Sequence, residues 1–182
     1  MSSDRMTLFQ AIETGDISIV QARLDNPLRD DELEDYHISA AVRREDIPMV
    51  RFLLSNPVRT SDYRYPNDDD HVITQAARTG NLELFNIIYE YYSTTTGINC
   101  FRQEYRRVIT PFMMDEVVSR GLPYHRDPIP ILNRLVELGI PITITQCKDI
   151  MLYRKDSYRD ALVIRCLEIL ATASNSSRDP IS

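Results

Sequence analysis

One ten-residue pattern recurs three times in the first half of this chain. It reads Ala-Ile-Glu-Thr-Gly-Asp-Ile-Ser-Ile-Val at 11–20, Ala-Val-Arg-Arg-Glu-Asp-Ile-Pro-Met-Val at 41–50 and Ala-Ala-Arg-Thr-Gly-Asn-Leu-Glu-Leu-Phe at 76–85. The copies start 30 and then 35 residues apart, a period at which one helical hairpin stacks on the next. A unit this short cannot bury its own apolar face, so the chain is constrained to stack its units or leave them unfolded. At 182 residues it has room for four to five of them.

The local chemistry of each unit predicts the same hairpin. Leu8, Ala11 and Ile12 stand at i, i+3 and i+4 on one helical face, Gly15 supplies the left-handed stop, and Asp16 caps a second helix carrying Ile17, Val20 and Leu24. Asn26-Pro27 ends it. Unit two repeats this with Ile38, Ala41 and Val42, then Glu45-Asp46, then Ile47, Val50, Leu53 and Leu54, and Asn56-Pro57. Leu54, matching Leu24, is expected in the core. Unit three has Ile73, Ala76 and Ala77, then Gly80-Asn81, then Leu82, Phe85, Ile88 and Tyr89, with Tyr89 read as core and Tyr92 as half-buried.

Beyond Tyr92 the pattern loosens. Ser93 to Gly97 is a polar connector, and Phe101 to Val108 allows an extra turn of helix. A fourth unit is recoverable from Phe112, Met113, Val117, Val118 and Gly121, then Ile129, Leu132, Leu135 and Val136, closed by Gly139 to Thr143. A fifth pair runs over Cys147 to Tyr153 and Ala161 to Ala171. The expectation is an all-α solenoid forming a single domain over 1–173, followed by a disordered tail over 174–182.

Charge and cysteine usage narrow the function class. A net charge of −6 argues against a nucleic-acid binder, which needs a basic face for phosphates. Cys100, Cys147 and Cys166 are odd in number, far apart and in no metal-ligand spacing, which suits a reducing compartment. The start shows no Sec-type signal and no stretch reads as a membrane span, so a cytoplasmic protein is expected. A non-Sec secretion route, which would place it in a host cytosol, leaves no trace in such a test.

Two stretches resemble the ankyrin repeat. Ala76-Ala77-Arg78-Thr79-Gly80-Asn81-Leu82-Glu83-Leu84 is similar to the family's central Ala-Ala-x-x-Gly-His-Leu-Glu-Val, and Leu135-Val136-Glu137-Leu138-Gly139-Ile140-Pro141-Ile142 to its Leu-Leu-Glu-x-Gly-Ala-x-Val ending. The copies at 11–20 and 41–50 are diluted versions, and the likeness covers roughly residues 6 to 143. The family's Thr-Pro-Leu-His opening is replaced by Met6-Thr7-Leu8-Phe9, Tyr36-His37-Ile38-Ser39 and His71-Val72-Ile73-Thr74. In the family that Thr and His bond across neighbouring units, so here adjacent units are expected to be held mainly by apolar contact. Asn-Pro in place of the finger Gly turns the family's β-hairpin fingers into ordinary loops.

Each chemical candidate has a plain structural counterpart. Asp68, Asp69, Asp70 and His71 lack the oxygen count, Gly turn and distal Glu of a calcium loop, and Asp70 reads as a helix cap. Nothing pairs a cysteine with His37, His71 or His125, and Cys147 and Cys166 fall at apolar-face positions. Five scattered glycines make no phosphate loop, and Arg102, Arg106 and Arg107 read as a solvated helix face. No metal and no cofactor is expected. Arg43, Arg44 and Arg78 end the first helices of units two and three, positions that tend to line the concave face in the ankyrin family. Tyr36, Tyr63 and Tyr65 lie in the connecting loops, where Tyr serves equally as binding anchor or packing.

The combined reading is a monomeric or weakly associating module that binds another protein and is not an enzyme, with no nucleic-acid or membrane partner. A scaffold, an adaptor and a pathogen effector are all settings it allows. Two alternatives stand beside it: a small enzyme or regulator with a site in the divergent C-terminal third, and an acidic mimic that blocks a basic partner site.

Overall fold

The computed structural model of the chain describes residues 6–25, 32–58, 72–94, 113–115, 117–118 and 126–176. Every regular element among them is helical, as the periodicity predicts. Helices α1 (Leu8–Thr14) and α2 (Ile17–Leu24) form the first hairpin, α3 (Asp35–Arg43) and α4 (Ile47–Leu54) the second, and α5 (Val72–Thr79) and α6 (Leu82–Thr94) the third. A short helical piece at 113–115 precedes α7 (Ile129–Glu137), and α8 (Ile144–Tyr153) pairs with α9 (Arg159–Ser176). Helix α9 thus continues to Ser176, three residues into the segment read as a tail.

Local chemistry sets these boundaries. The Thr7 hydroxyl accepts from the Gln10 amide while the Gln10 side chain accepts from the Thr7 amide, a reciprocal cap at the start of α1. Thr143 and Gln146 repeat it at α8. Gly15, Gly80 and Gly139 adopt positive φ where α1, α5 and α7 stop. Thr14 and Thr79 then do identical work, each donating to a carbonyl three residues back and accepting the amide of the next cap, Asp16 or Asn81. Asp16 caps α2 through the Ser18 amide, Asp46 caps α4 through Met49, and Asn81 caps α6 through Leu84. After α4, the Asn56 side chain donates to the Phe52 carbonyl. Asn26-Pro27 and the Asp70 cap lie outside the described residues.

Burial follows the repeat. Leu8, Ala11 and Ile12, their counterparts Ile38, Ala41 and Val42, and Ile73, Ala76 and Ala77 are all at most 1% exposed. In the second helices Val20, Val50 and Phe85 are equally buried. Three expectations need correction. Leu53 is fully buried, whereas Leu54 and Leu24 are only half-buried. Tyr89 is half-buried too, and Tyr92 is buried, its hydroxyl donating to Asp35 Oδ1 at 2.5 Å. The phase of α6 explains both tyrosines, because Phe85, Ile88 and Tyr92 stand at i, i+3 and i+7.

The hairpins join in order, α1 packing on α3 and α3 on α5, while α4 packs on α6 and α6 on α7. On the first helices Ile38, Ala41 and Val42 and Ile73, Ala76 and Ala77 are buried, and the buried hydroxyls of Ser39 and Thr74 make no hydrogen bond. Between the second helices polar contacts are added. Arg51 pairs with Glu83 at 3.3 Å, Arg134 Nε donates to Asn86 Oδ1 at 2.9 Å, and Arg165 Nε donates to Asn133 Oδ1 at 2.7 Å. Each of the latter two arginines also holds its own glutamate three residues on, Glu137 or Glu168. A polar ladder therefore supplements the apolar core along one row of helices.

Candidate functional site

The turns inside the three hairpins form one edge. A methyl built on Gly15 would lie 3.5 Å from the Arg44 guanidinium and 3.7 Å from the Asp46 carboxylate, which sets the first turn against the second. The Asn81 side-chain amide donates to Glu45 Oε2 at 3.2 Å, which sets the second against the third. Arg126 reaches the same Glu45 oxygen at 2.5 Å from the segment preceding α7.

Glu45 is the unusual member of this edge. Its φ of 54° places it in the left-handed region where the first and third turns use Gly15 and Gly80. That conformation costs a non-glycine residue on the order of 1 kcal/mol or more and persists only where its surroundings over-determine it. Here its carboxylate is shared by Asn81 and Arg126, so the strained residue ties two other segments to the second turn. The repeat alignment carried the signal, since a Glu stands where the other copies have Gly; its partners, 36 residues on in one case, did not show in the sequence.

Arg43 and Arg44 project from this edge and are exposed, while Arg78 is half-buried. Arg43 and Arg78 occupy corresponding last-turn positions of α3 and α5, where a cation also compensates the helix dipole. Arg44 is one residue further, the C-cap of α3, aligned with Thr79 and beside Gly15, so the three arginines are not strictly equivalent. The Asp16 carboxyl on the same edge is held below the usual range by two hydrogen bonds from Ser18, side chain first, then backbone.

Tyr36 is not a loop residue. It is the second residue of α3, half exposed, with its ring stacked against Phe9 at 6.5 Å and tilted against the neighbouring His37 ring at 3.9 Å. Seven residues separate it from Arg43, about 10 Å of helix, so the structure places Tyr36 at the opposite end of α3 from the arginine edge. Tyr63 and Tyr65 lie outside the described residues, as do Asp68 to His71, Arg102, Arg106, Arg107, Cys100 and His125.

The C-terminal third holds the remaining titratable groups of interest. Cys147 of α8 and Cys166 of α9 are both buried and reduced. Burial pushes both thiols up, Cys166 to about 12 with the neighbouring Cys147 adding to it, so the nucleophilic thiolate is scarce. Arg154 is buried, paired with Asp156 at 2.6 Å and donating to the Val117 carbonyl at 2.9 Å, which anchors the α8–α9 connection on the 113–118 segment. Among the described residues no three His, Cys, Asp or Glu side chains group as metal ligands, and no helix is long and apolar enough to cross a membrane.

No protein-family model matches the chain, and comparisons with curated proteins and with solved structures find no match either.

Proposed function

We propose that this chain is a solenoid of degenerate ankyrin-like hairpins whose work is to bind another protein through the edge of stacked turns, using Arg43 and Arg44 with Arg78 beside them. The repeated burial pattern and the shared Thr-Gly-Asp/Asn turn chemistry support the solenoid reading. The observation that carries the binding reading is the contact of each turn with the next, which holds two exposed guanidinium groups on a rigid backbone. A preorganised surface loses little conformational entropy on docking, so few contacts suffice. Guanidinium groups recognise carboxylates in a bidentate fashion, which makes an acidic segment of the partner the matching chemistry.

The test is capture of partner from a native cell extract, or from a host extract if the source is a pathogen. Arg43→Glu with Arg44→Glu should abolish capture and keep the helical circular dichroism, lowering the melt only by the loss of dipole compensation at the end of α3, on the order of 1 kcal/mol, because both side chains are exposed. Loss of one member of a desolvated charged contact costs about 2–5 kcal/mol, enough to empty a pull-down. Capture that survives this variant and fails with Tyr36→Ala would move the binding surface to the other end of α3. Capture that weakens steadily with salt and ignores both variants would favour the acidic-mimic reading.

A further inference from the structure

We propose that the outer face of the α8–α9 hairpin joins two copies of this chain about a two-fold axis. Ile144, Met151 and Leu152 of α8 stand at i, i+7 and i+8, and Ile164 and Leu167 of α9 at i and i+3. All five are more than half exposed. Between the helices a groove of about 400 Å³ is lined by Met151, Val163, Ile164, Arg159 and Asp160. The last unit of a solenoid ordinarily turns a polar face outward. This one turns an apolar stripe outward.

The repeat itself says what cannot cover that stripe. Matching the buried residues of α6, α7 and α9 aligns Asn86, Asn133 and Ile164. Asn86 of α6 accepts a hydrogen bond from Arg134 of α7, and Asn133 of α7 from Arg165 of α9. Ile164 has no acceptor to offer, so a further unit stacking head-to-tail would leave its arginine unpaired. A two-fold arrangement has no such requirement, since Ile164 and Leu167 of one copy meet apolar side chains of the other.

Charge selects the orientation. The two lysines of the chain are on the α8 side, Lys148 between Ile144 and Leu152 and Lys155 just past the helix end, and Asp160 and Glu168 bracket Ile164 and Leu167 on the α9 side, all four exposed. At about 1.5 Å per residue the two acids of α9 are about 12 Å apart, while Lys155 lies two residues past the end of α8. The helices run antiparallel, with Met151 late in α8 meeting Asp160 and Ile164 early in α9. A two-fold axis parallel to the hairpin therefore lays α8 of one copy over α9 of the other, with Lys155 opposite Asp160 and Lys148 opposite Glu168. Arg159 and Arg165 already pair with these acids within one chain, so each lysine adds a second cation across the interface. The stripe offers on the order of 600 Å² per copy, against about 800 Å² per partner in standard interfaces, so the dimer is concentration-dependent.

Sedimentation equilibrium of the full chain tests this. The weight-average mass should rise from 21.1 kDa toward twice that value with concentration. Ile164→Asp should hold it at the monomer mass with unchanged helical circular dichroism. Should that variant misfold, Lys148→Glu with Lys155→Glu should weaken association several-fold, and mixing it with an Asp160→Lys, Glu168→Lys chain should restore a heterodimer. A monomer mass up to the solubility limit, or association indifferent to the apolar and the charge variants, overturns the proposal. This face shares no residue with the arginine edge, so either result leaves the partner-binding reading standing on its own test.

Discussion

Asp35 shows how far one residue departs from its solution behaviour when the fold buries it. Burial raises its carboxyl from 3.8 to about 6, against the lowering effect of the Tyr92 hydrogen bond, and the adjacent Glu34 charge adds to the rise. The folded state therefore holds this proton more tightly than the unfolded chain does. By linkage, the stabilisation is complete below about pH 4 and is lost as pH rises through about 6. The interval between 3.8 and about 6 corresponds to about 3 kcal/mol. Asp35→Asn keeps an acceptor for Tyr92 without the charge, so the stability difference between parent and variant in denaturant melts should shift by up to about 3 kcal/mol, in favour of the variant, from about pH 4 to about pH 6.5. A difference constant across that range would contradict the assignment. Tyr91, whose ring packs edge-on against Tyr92, is raised as well, by burial and then by Asp35.

At the scale of the element, the hairpins were legible because everything that starts and stops them is local. At the first and third turns threonine, glycine and aspartate or asparagine lie within three residues of the bonds they make, and at the second Asp46 caps α4 in the same way. What was not legible is what joins one hairpin to another. The Arg134–Asn86 and Arg165–Asn133 bonds span 48 and 32 residues, and residue types alone do not reveal such partners. Leu54 shows an error of phase: adjacent leucines end α4, and the apolar stripe Met49, Val50 and Leu53 takes the first of them inward. Leu53→Ala should thus destabilise by about 2–5 kcal/mol and Leu54→Ala by clearly less. Equal losses in a urea melt would mean that α4 is rotated from the position described.

For the whole molecule, the repeat pattern anticipated the helical class, and it set Arg43 and Arg78 at corresponding last-turn positions of α3 and α5. Tyr36, read as a loop residue, is the second residue of α3. The pattern set Glu45 against Gly15 and Gly80, yet the bonds of that carboxylate to Asn81 and Arg126 come from distant segments and did not show. On the reading proposed above, another protein docks at this edge of stacked turns. Hydrogen–deuterium exchange of the chain alone and with its captured partner tests that most directly. Protection should rise at 43–46 and 78–81, where the turns meet. Unchanged exchange at both turns, with new protection confined to the Tyr36 end of α3 or to α8 and α9, would contradict it.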